Sequence, residues 1–297
     1  MSLVINHNMM AMNAARNLSN SYANLSNSVR RLSSGLRVGS AADDAAGLAI
    51  RELMRADIKT LHQGVRNAND AISLIQTADG SLGVIDEKLI RMKELAEQAA
   101  TGTYTSDQRM MIESEYQAMA SEITRIANST DFNGVHLLNG NLSSDTHDGT
   151  GLVSTGKLKV HFGTGNDSSE DYYYITIGDS TASALGVGNQ ASEDSGGYTV
   201  STQARAQLAV DSINLAIESK DKIRAHLGAM QNRLENTISV LQIQAENLQA
   251  SESRISDVDV ATEMTEFVRN QVLTQSAVAM LSQANSLPQM AMQLISG

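Results

Sequence analysis

The chain has 297 residues, and its net charge of -11 with a pI of ≈ 5.0 argues against nucleic acid or a membrane as its main partner. The absence of Cys excludes a disulfide scaffold and a thiolate metal site, and the single Pro leaves long helices almost uninterrupted. Aromatic residues make up 3% of the chain, so its core must be built from aliphatic side chains, Met and Ala.

Residues 1–18 lack the basic region and the continuous apolar run of a secretory signal peptide. No window of the sequence approaches the roughly 18 consecutive apolar residues of a membrane-spanning helix. By default this pattern indicates cytoplasmic residence, unless export uses a route that reads no cleaved signal.

An apolar repeat with 4-3 spacing begins at Ala11 and continues for more than three heptads, which predicts a coiled-coil helix. Arg16 is the only Asp, Glu, Lys or Arg before Arg30. The members of this seam are Ala11, Ala15, Leu18, Tyr22, Leu25, Val29, Leu32 and Leu36.

Residues 270–297 contain no Asp, Glu, Lys or Arg and also carry helical apolar spacing. Their Gln, Ser and Asn side chains can hydrogen-bond without desolvating an ion. This stretch therefore predicts a helix buried against other chains and paired with the N-terminal helix, although two ordinary bundle helices remain an alternative. One seam comprises Leu273, Ala277, Met280, Ala284, Leu287, Ala291 and Leu294, and a second comprises Val260, Met264, Phe267, Thr274, Val278 and Leu281.

Between the two ends, the sequence predicts charged helical rods and a short insertion. A helix is expected to resume near Ala41 with Asp43 and Asp44 in its first turn, and another to begin near Thr105. The fold class is mainly α: a long antiparallel helical bundle or coiled coil with paired terminal helices. The predicted domains are a terminal coiled-coil domain of 1–44 with 256–297, a helical rod of 45–140 with 200–255, and an insertion at 141–199.

The insertion contains two strand-like runs, 157–162 and 172–177, joined by turn-forming residues, which predicts a β-hairpin. The remainder is mostly small and polar, and the segment is too short for a core of its own. We therefore expect an exposed, β-rich cap that belongs to the rod.

The sequence offers little that could carry catalysis, and we expect no catalytic, cofactor-binding or metal site. Its six His are scattered, and it contains no zinc-protease, P-loop, nucleophile-elbow or dinucleotide-binding motif. Asp257 and Asp259 form an apparent carboxylate pair, which a helix N-terminus explains better.

Several long motifs, in a fixed order, give the chain a resemblance to bacterial flagellin. They are residues 4–8 (VINHN), 32–37 (LSSGLR), 41–50 (AADDAAGLAI), 93–96 (KELA), 132–134 (FNG), 227–234 (LGAMQNRL) and 253–255 (SRI). The match covers nearly the whole chain, and the small insertion indicates a short form without large outer domains.

The resemblance implies a structural subunit that polymerises with itself into the flagellar filament, outside the cell, after export unfolded through the flagellar type III route without a cleaved signal peptide. It also implies an export chaperone at the C-terminal segment, and the filament cap and hook-junction proteins as further partners. The terminal helices would line the filament core through Leu18, Tyr22, Leu25, Val29, Leu32, Phe267, Leu273, Met280 and Leu287.

The resemblance extends to recognition by the Toll-like flagellin receptor of innate immunity. Arg91, Leu95 and Glu115 fall at the matching positions of the family's receptor site. Lys93 and Ile90 depart from the pattern of many recognised flagellins.

Three alternatives compete with a filament subunit. A hook–filament junction protein shares the logic of the terminal helices but assembles in few copies. An exported effector or enzyme would need catalytic motifs that the insertion lacks, and a soluble coiled-coil adaptor would need charged flanking faces at its ends.

Overall fold

The computed structural model describes residues 7–148 and 155–296, and these residues are mainly helical. The mainly α fold class is confirmed. The helices are α1 (Met9–Ser34), α2 (Ala45–Ala100), α3 (Ser106–Ser129), α4 (Gln203–Ser256) and α5 (Val260–Ser296).

Short strands lie between α3 and α4, and within the described ranges they form three antiparallel two-stranded sheets. The predicted hairpin is confirmed by β5 and β6, in which Lys159 lies opposite Tyr174 and His161 opposite Tyr172. The strands are β1 (Asp131–Phe132), β2 (Val135–His136), β3 (His147–Asp148), β4 (Thr155–Gly156), β5 (Leu158–His161) and β6 (Tyr172–Ile175).

The chain divides into two compact units. Unit 1 contains the residues up to Ile58 together with those from Glu246 onwards, and unit 2 runs from Lys59 to Ala245. The predicted divisions at 44/45 and 255/256 lie close to the helix breaks, and they remain predictions about domains in an assembly.

In unit 1, α1 and α5 pair in opposite directions. At one end the side-chain amide of Asn8 donates to the carbonyl oxygen of Ala284 at 2.7 Å. At the other end Arg31 Nη1 lies 3.5 Å from Glu263 Oε2. The predicted pairing of the two terminal helices is therefore present within a single chain.

The beginnings of α2 and α5 follow from side-chain capping. Asp44 accepts the backbone N–H of Gly47 at 2.9 Å, so α2 begins at Ala45 and not near Ala41. Asp43 lies before this helix and pairs with Arg30. Asp259 accepts the N–H of Ala261 at 3.0 Å, so its interpretation as a cap holds, whereas Asp257 accepts from the hydroxyls of Ser253 and Ser256.

In unit 2, α2 runs antiparallel to α3 and to α4, and ion pairs join it to each of them. The predicted helix start near Thr105 is confirmed, and Thr105 and Gln108 form a capping box at the start of α3. Arg109 then donates to the carbonyl oxygens of Ala99 and Thr101, which covers the end of α2. The core is aliphatic, with Leu82, Ile85, Leu89, Met92, Ile123, Ile213, Leu227 and Leu234 among its buried members.

The insertion is less exposed than predicted, because its own apolar side chains complete the core of unit 2. On one side the amide of Asn67 in α2 donates to the carbonyl oxygen of His161 at 2.8 Å. On the other, the hydroxyl of buried Tyr116 in α3 donates to the carbonyl oxygen of Gly197 at 2.6 Å. Burial raises the pKa of Tyr116. The side chains buried here include Val160, Phe162, Ile175, Ile177, Leu185 and Val187.

Candidate assembly interface on the terminal helix pair

One stripe of α1 is covered by α5, and small residues alternate with leucines along it. Small side chains let two helix backbones approach closely, which explains why Ser28 is almost fully buried in this contact. The stripe comprises Ala11, Ala14, Leu18, Ser21, Leu25, Ser28 and Leu32.

The stripe of α5 that is covered in return follows the same 4-3 spacing. Asn270 is buried within it, and its carbonyl oxygen accepts the hydroxyl of Thr274 at 2.7 Å. Pro288 lies inside the helix, where it lacks the N–H of an ordinary helical residue. The stripe comprises Glu263, Phe267, Asn270, Thr274, Ala277, Leu281, Ala284 and Pro288.

The nine predicted interface residues divide into two groups. Leu18, Leu25, Leu32, Phe267 and Leu287 are at least partly covered within the chain. Tyr22, Val29, Leu273 and Met280 are 63%, 49%, 45% and 65% exposed, respectively. The seam through Ala15, Tyr22 and Val29 was therefore wrong as a description of the pairing within the chain, where Ala14, Ser21 and Ser28 take those places. The predicted positions Ala291 and Leu294 have side chains outside the described residues.

The exposed members of the set occupy two different flanks of the helix pair. Leu273, Met280 and Leu287 line a groove of about 690 Å³ between α1 and α5. Tyr22 and Val29 each come directly after a residue that α5 covers. The asparagines that line the groove each come directly before such a residue. Because successive residues are about 100° apart around a helix, Tyr22 and Val29 lie on the flank away from the groove.

An asparagine row forms the α1 wall of this groove, and it was missed in the sequence. Asn13, Asn17, Asn20 and Asn24 repeat with 4-3-4 spacing, and all four line the groove. That spacing was visible as a polar heptad pattern beside the apolar one. Uncharged amides beside Leu and Met form a surface that another helix can cover without burying an ion.

A clasp fixes the other end of unit 1, where α1 leads into the segment before α2. The backbone N–H of Arg37 donates to the carbonyl oxygen of Ser256 at 2.6 Å, and that of Val258 donates to Gly35 at 3.0 Å. Arg30 Nη2 lies 2.8 Å from Asp43 Oδ1. Hydrogen bonds from Arg30 and then Ser40 hold the pKa of the Asp43 carboxyl at about 2, below its usual 3.8.

The predicted receptor residues lie on α2 and α3 of unit 2, and they differ in exposure. Arg91 donates from Nε and Nη2 to Glu115 Oε1 at 3.0 and 2.7 Å, and from Nη1 to Glu94 at 2.9 Å. Both Arg91 and Glu115 are exposed, and their ion pair raises the pKa of Arg91. Leu95 is 2% exposed and belongs to the core, so the three residues do not form one surface cluster.

Two family models match most of the chain. The bacterial flagellin N-terminal helical region matches residues 5–143, and the bacterial flagellin C-terminal helical region matches residues 210–295. The chain is also 41% identical over 293 residues to the flagellar filament 33 kDa core protein of Treponema phagedenis, with 99% of this chain and 100% of that protein covered. The chain belongs to the bacterial flagellin family.

A flagellin of Halalkalibacterium halodurans is similar at 43% identity over 293 residues, again with 99% of this chain and 100% of that protein covered. The equal lengths confirm the short form without large outer domains. The fold is also similar to the structure of a putative flagellar hook-associated protein from Vibrio parahaemolyticus. The match has a TM-score of 0.55 and covers 72% of this chain and 100% of that protein. At 14% identity it shows a shared fold alone.

Flagellins are structural proteins of the flagellar filament, which lies outside the cell, so this chain is not an enzyme. Within the described ranges, no cluster of three or more His, Asp or Glu is placed to hold a metal ion. Of the helices described, none has both the length and the apolar character needed to cross a membrane. The candidate site for assembly is the terminal helix pair, with its groove and with exposed Tyr22 and Val29.

Proposed function

We propose that the chain is the repeating subunit of a flagellar filament, and that its terminal helix pair is buried against neighbouring copies. The observation that carries this proposal is the pair of unpartnered flanks in unit 1. One flank is the groove lined by the asparagine row with Leu273 and Met280, and the other presents Tyr22 and Val29.

Two different surfaces on opposite flanks suit an open helical polymer. A heterologous contact joins one surface to a different one on the next copy, so it continues into a filament when its rotation does not close a ring. The absence of Asp, Glu, Lys and Arg after Arg269 keeps the cost of desolvating such a contact low.

The domain roles follow from the same proposal. Residues 1–44 with 256–297 form the filament core, and residues 45–140 with 200–255 form the surrounding rod. The insertion at 141–199 completes the rod, which agrees with its buried side chains in unit 2.

Export and handling of the subunit complete the proposed role. The resemblance to flagellins supports passage unfolded through the type III channel without a cleaved signal peptide. It also supports a chaperone that binds the C-terminal segment before export, and contacts with the filament cap and hook-junction proteins. The part of α5 after Arg269 has no charged side chain and exposes Val272, Leu273, Val278 and Met280, a surface that needs such protection before assembly.

Recognition by the Toll-like flagellin receptor is a second candidate role, favoured by the exposed pair of Arg91 and Glu115. Because Leu95 lies in the core, the two charged side chains would carry the contact. Receptor-reporter cells would test it, with Arg91→Ala and Glu115→Ala expected to weaken signalling. Arg125→Ala breaks a comparable exposed ion pair with Glu122 and serves as the matched control.

Negative-stain microscopy under polymerising salt conditions tests the main proposal. We expect long filaments from the full chain and none from a version that ends at Arg269. Tyr22→Asn with Met280→Gln alters only exposed side chains, so the monomer should keep its helix content while filament growth fails. Leu25→Asn changes a residue that α5 covers, so it should lower both the helix content of the monomer and filament growth.

Equal filaments from the truncated and full chains would refute the role of α5. Short assemblies of few copies from the full chain would favour the junction protein, and a soluble monomer throughout would favour the adaptor. Peptidase activity of purified filaments would revive the exported enzyme.

A further inference from the structure

Exposed methionines gather at one end of the terminal helix pair. Met9, Met10 and Met12 occupy the start of α1, and Met280 and Met290 lie on α5. The hydrogen bond from Asn8 to Ala284 brings these two segments together. The five side chains are 46% to 65% exposed.

Two of these methionines lie in the groove proposed for contact with a neighbouring copy, so a change in their polarity would alter that surface. Met10 and Met280 line the groove together with the asparagine row, and Arg269 is the one charged residue among its described lining residues. By contrast, Met92 and Met230 are buried in unit 2, as gap-filling core methionines usually are. The exposed cluster therefore has no packing role within the described part of the chain that would account for five thioethers in one place.

We propose that these five methionines are a reversible oxidation site that controls whether the subunit can assemble. The oxidant is a peroxide, with hydrogen peroxide as the simplest case. The thioether sulfur attacks one peroxide oxygen, an S–O bond forms, and the O–O bond breaks. Sulfur loses two electrons to become the sulfoxide, and the remaining oxygen leaves as water after proton transfer.

Oxidation would act on assembly by changing the polarity of the buried surface. A sulfoxide is polar and accepts hydrogen bonds, so burying it against another uncharged helix without a donor is unfavourable. Because Met10 of α1 and Met280 of α5 line the same groove, oxidation of both acts on a single contact. The proposal rests on the proposed role of unit 1 in filament assembly.

Free subunits and assembled subunits should respond differently to peroxide. In the monomer the five thioethers are exposed to solvent, whereas a neighbouring copy seated on the groove would cover Met10 and Met280. Peroxide is then expected to stop free subunits from joining while leaving completed filaments intact. Methionine sulfoxide reductases reverse the modification, so the block is reversible.

The test measures elongation from sheared filament seeds after the soluble monomer has been treated with hydrogen peroxide. Peptide mass spectrometry reports sulfoxide at each methionine, and circular dichroism checks that helix content is retained. The resistant variant carries Met9→Leu, Met10→Leu, Met12→Leu, Met280→Leu and Met290→Leu, which conserve volume and remove the sulfur. The control carries Met110→Leu and Met111→Leu on α3, where the native side chains are 57% and 74% exposed.

Peroxide should slow the elongation of native monomer and of the control about tenfold, whereas the resistant variant should elongate equally fast with and without peroxide treatment. Treatment with methionine sulfoxide reductases A and B should restore native elongation. A Met10→Gln, Met280→Gln variant imitates the polar product and should elongate slowly without peroxide.

Three results would overturn the proposal: native monomer with sulfoxide at the cluster that elongates normally, equal inhibition of the resistant variant, or loss of helix content as the cause. If the resistant variant fails to elongate before treatment, reductase rescue of the native chain decides the matter, and absence of rescue refutes the proposal. Failure of untreated native monomer to elongate would instead refute the assembly function itself.

Discussion

At the scale of single residues, Lys220 shows how a charge is accommodated in the core of unit 2. It is 1% exposed, and its Nζ lies 2.6 Å from Asp86 Oδ1 and 2.7 Å from Asp221 Oδ1. One turn further along α4, Arg224 makes a two-point contact with Asp79 at 2.7 and 3.1 Å. The contacts of Lys220 with Asp86 and of Arg224 with Asp79 join α4 to α2. They therefore fix the register of two long helices whose aliphatic packing would tolerate sliding.

Replacing the buried lysine tests this role. Lys220→Met keeps most of the side-chain volume but leaves Asp86 without its partner, so we expect the free energy of unfolding to fall by about 1–3 kcal/mol. Urea unfolding followed by tyrosine fluorescence reports on unit 2, which contains every tyrosine except Tyr22.

A second lysine on the same helix provides the control for this prediction. Lys222 forms an exposed i,i+4 pair with Glu218 at 2.8 Å. Lys222→Met should change stability by less than about 0.5 kcal/mol. Equal effects of the two substitutions would show that burial of Lys220 contributes nothing beyond a surface ion pair.

The Arg30–Asp43 contact in unit 1 gives a pH prediction. In the folded chain the pKa of Asp43 is about 2, below its ordinary value of 3.8. The ionised carboxylate therefore stabilises the folded chain fully above pH 3.8, and this stabilisation is lost as the pH falls through 2. Arg30→Gln should return the pKa of Asp43 towards 3.8, measured from the side-chain carboxyl carbon by NMR. Ser40→Ala removes the weaker of the two hydrogen bonds to Asp43 and should raise the pKa of Asp43 by less. An unchanged pKa of Asp43 in Arg30→Gln would show that Arg30 does not lower it.

At the scale of elements, the helices could be predicted from apolar periodicity, but the partner of each apolar face could not. Tyr22 and Val29 have the same spacing as Leu25 and Leu32, yet only the leucines lie against α5. Small residues such as Ser28 occupy the tighter positions, because they allow close approach of the backbones. An apolar stripe indicates burial and does not say whether the covering helix belongs to the same chain.

The insertion was harder to predict because backbone contacts, and not side-chain periodicity, place it. Gly188 adopts a φ of 72° and packs so closely on α3 that an added Cβ would overlap Ala120. Such contacts leave no repeating signal in a single sequence.

Glycines on α2 give a prediction about how the hairpin is held. A Cβ at Gly64 would overlap the backbone carbonyl of Phe162, whereas Gly80 and Gly83 have open space around them. Gly64→Ala must push the β5–β6 hairpin away from α2, so it should destabilise unit 2 by about 1–3 kcal/mol. Thermal unfolding of the soluble monomer measures this loss.

The matched substitution on the same helix should have the opposite sign. Gly80→Ala is expected to stabilise the monomer by about 0.5–1 kcal/mol, because it lowers the conformational entropy of the unfolded chain. A stabilised monomer that elongates poorly would place a neighbouring subunit against Gly80. Stabilisation by Gly64→Ala would contradict the close packing of the hairpin.

At the scale of the whole molecule, charge is distributed so that attraction and repulsion act on different regions. The net charge is -11, yet the residues after Arg269 contain no Asp, Glu, Lys or Arg. Like-charged subunits repel one another through their charged regions, while the exposed apolar side chains of the helix pair supply the surface for apolar contact. Assembly should therefore respond to ionic strength as a balance of these two effects.

Elongation from seeds should be slow at low ionic strength and rise as salt screens the repulsion. Between 0.01 M and 0.15 M NaCl the screening length shortens from about 30 Å to about 8 Å, and we expect the elongation rate to increase by about tenfold. Light scattering measures the rate, with choline chloride at equal ionic strength to distinguish general screening from binding of sodium. A rate that falls with added salt would show that ion pairs between subunits, and not uncharged surfaces, drive growth, because screening weakens attraction between opposite charges as well as repulsion.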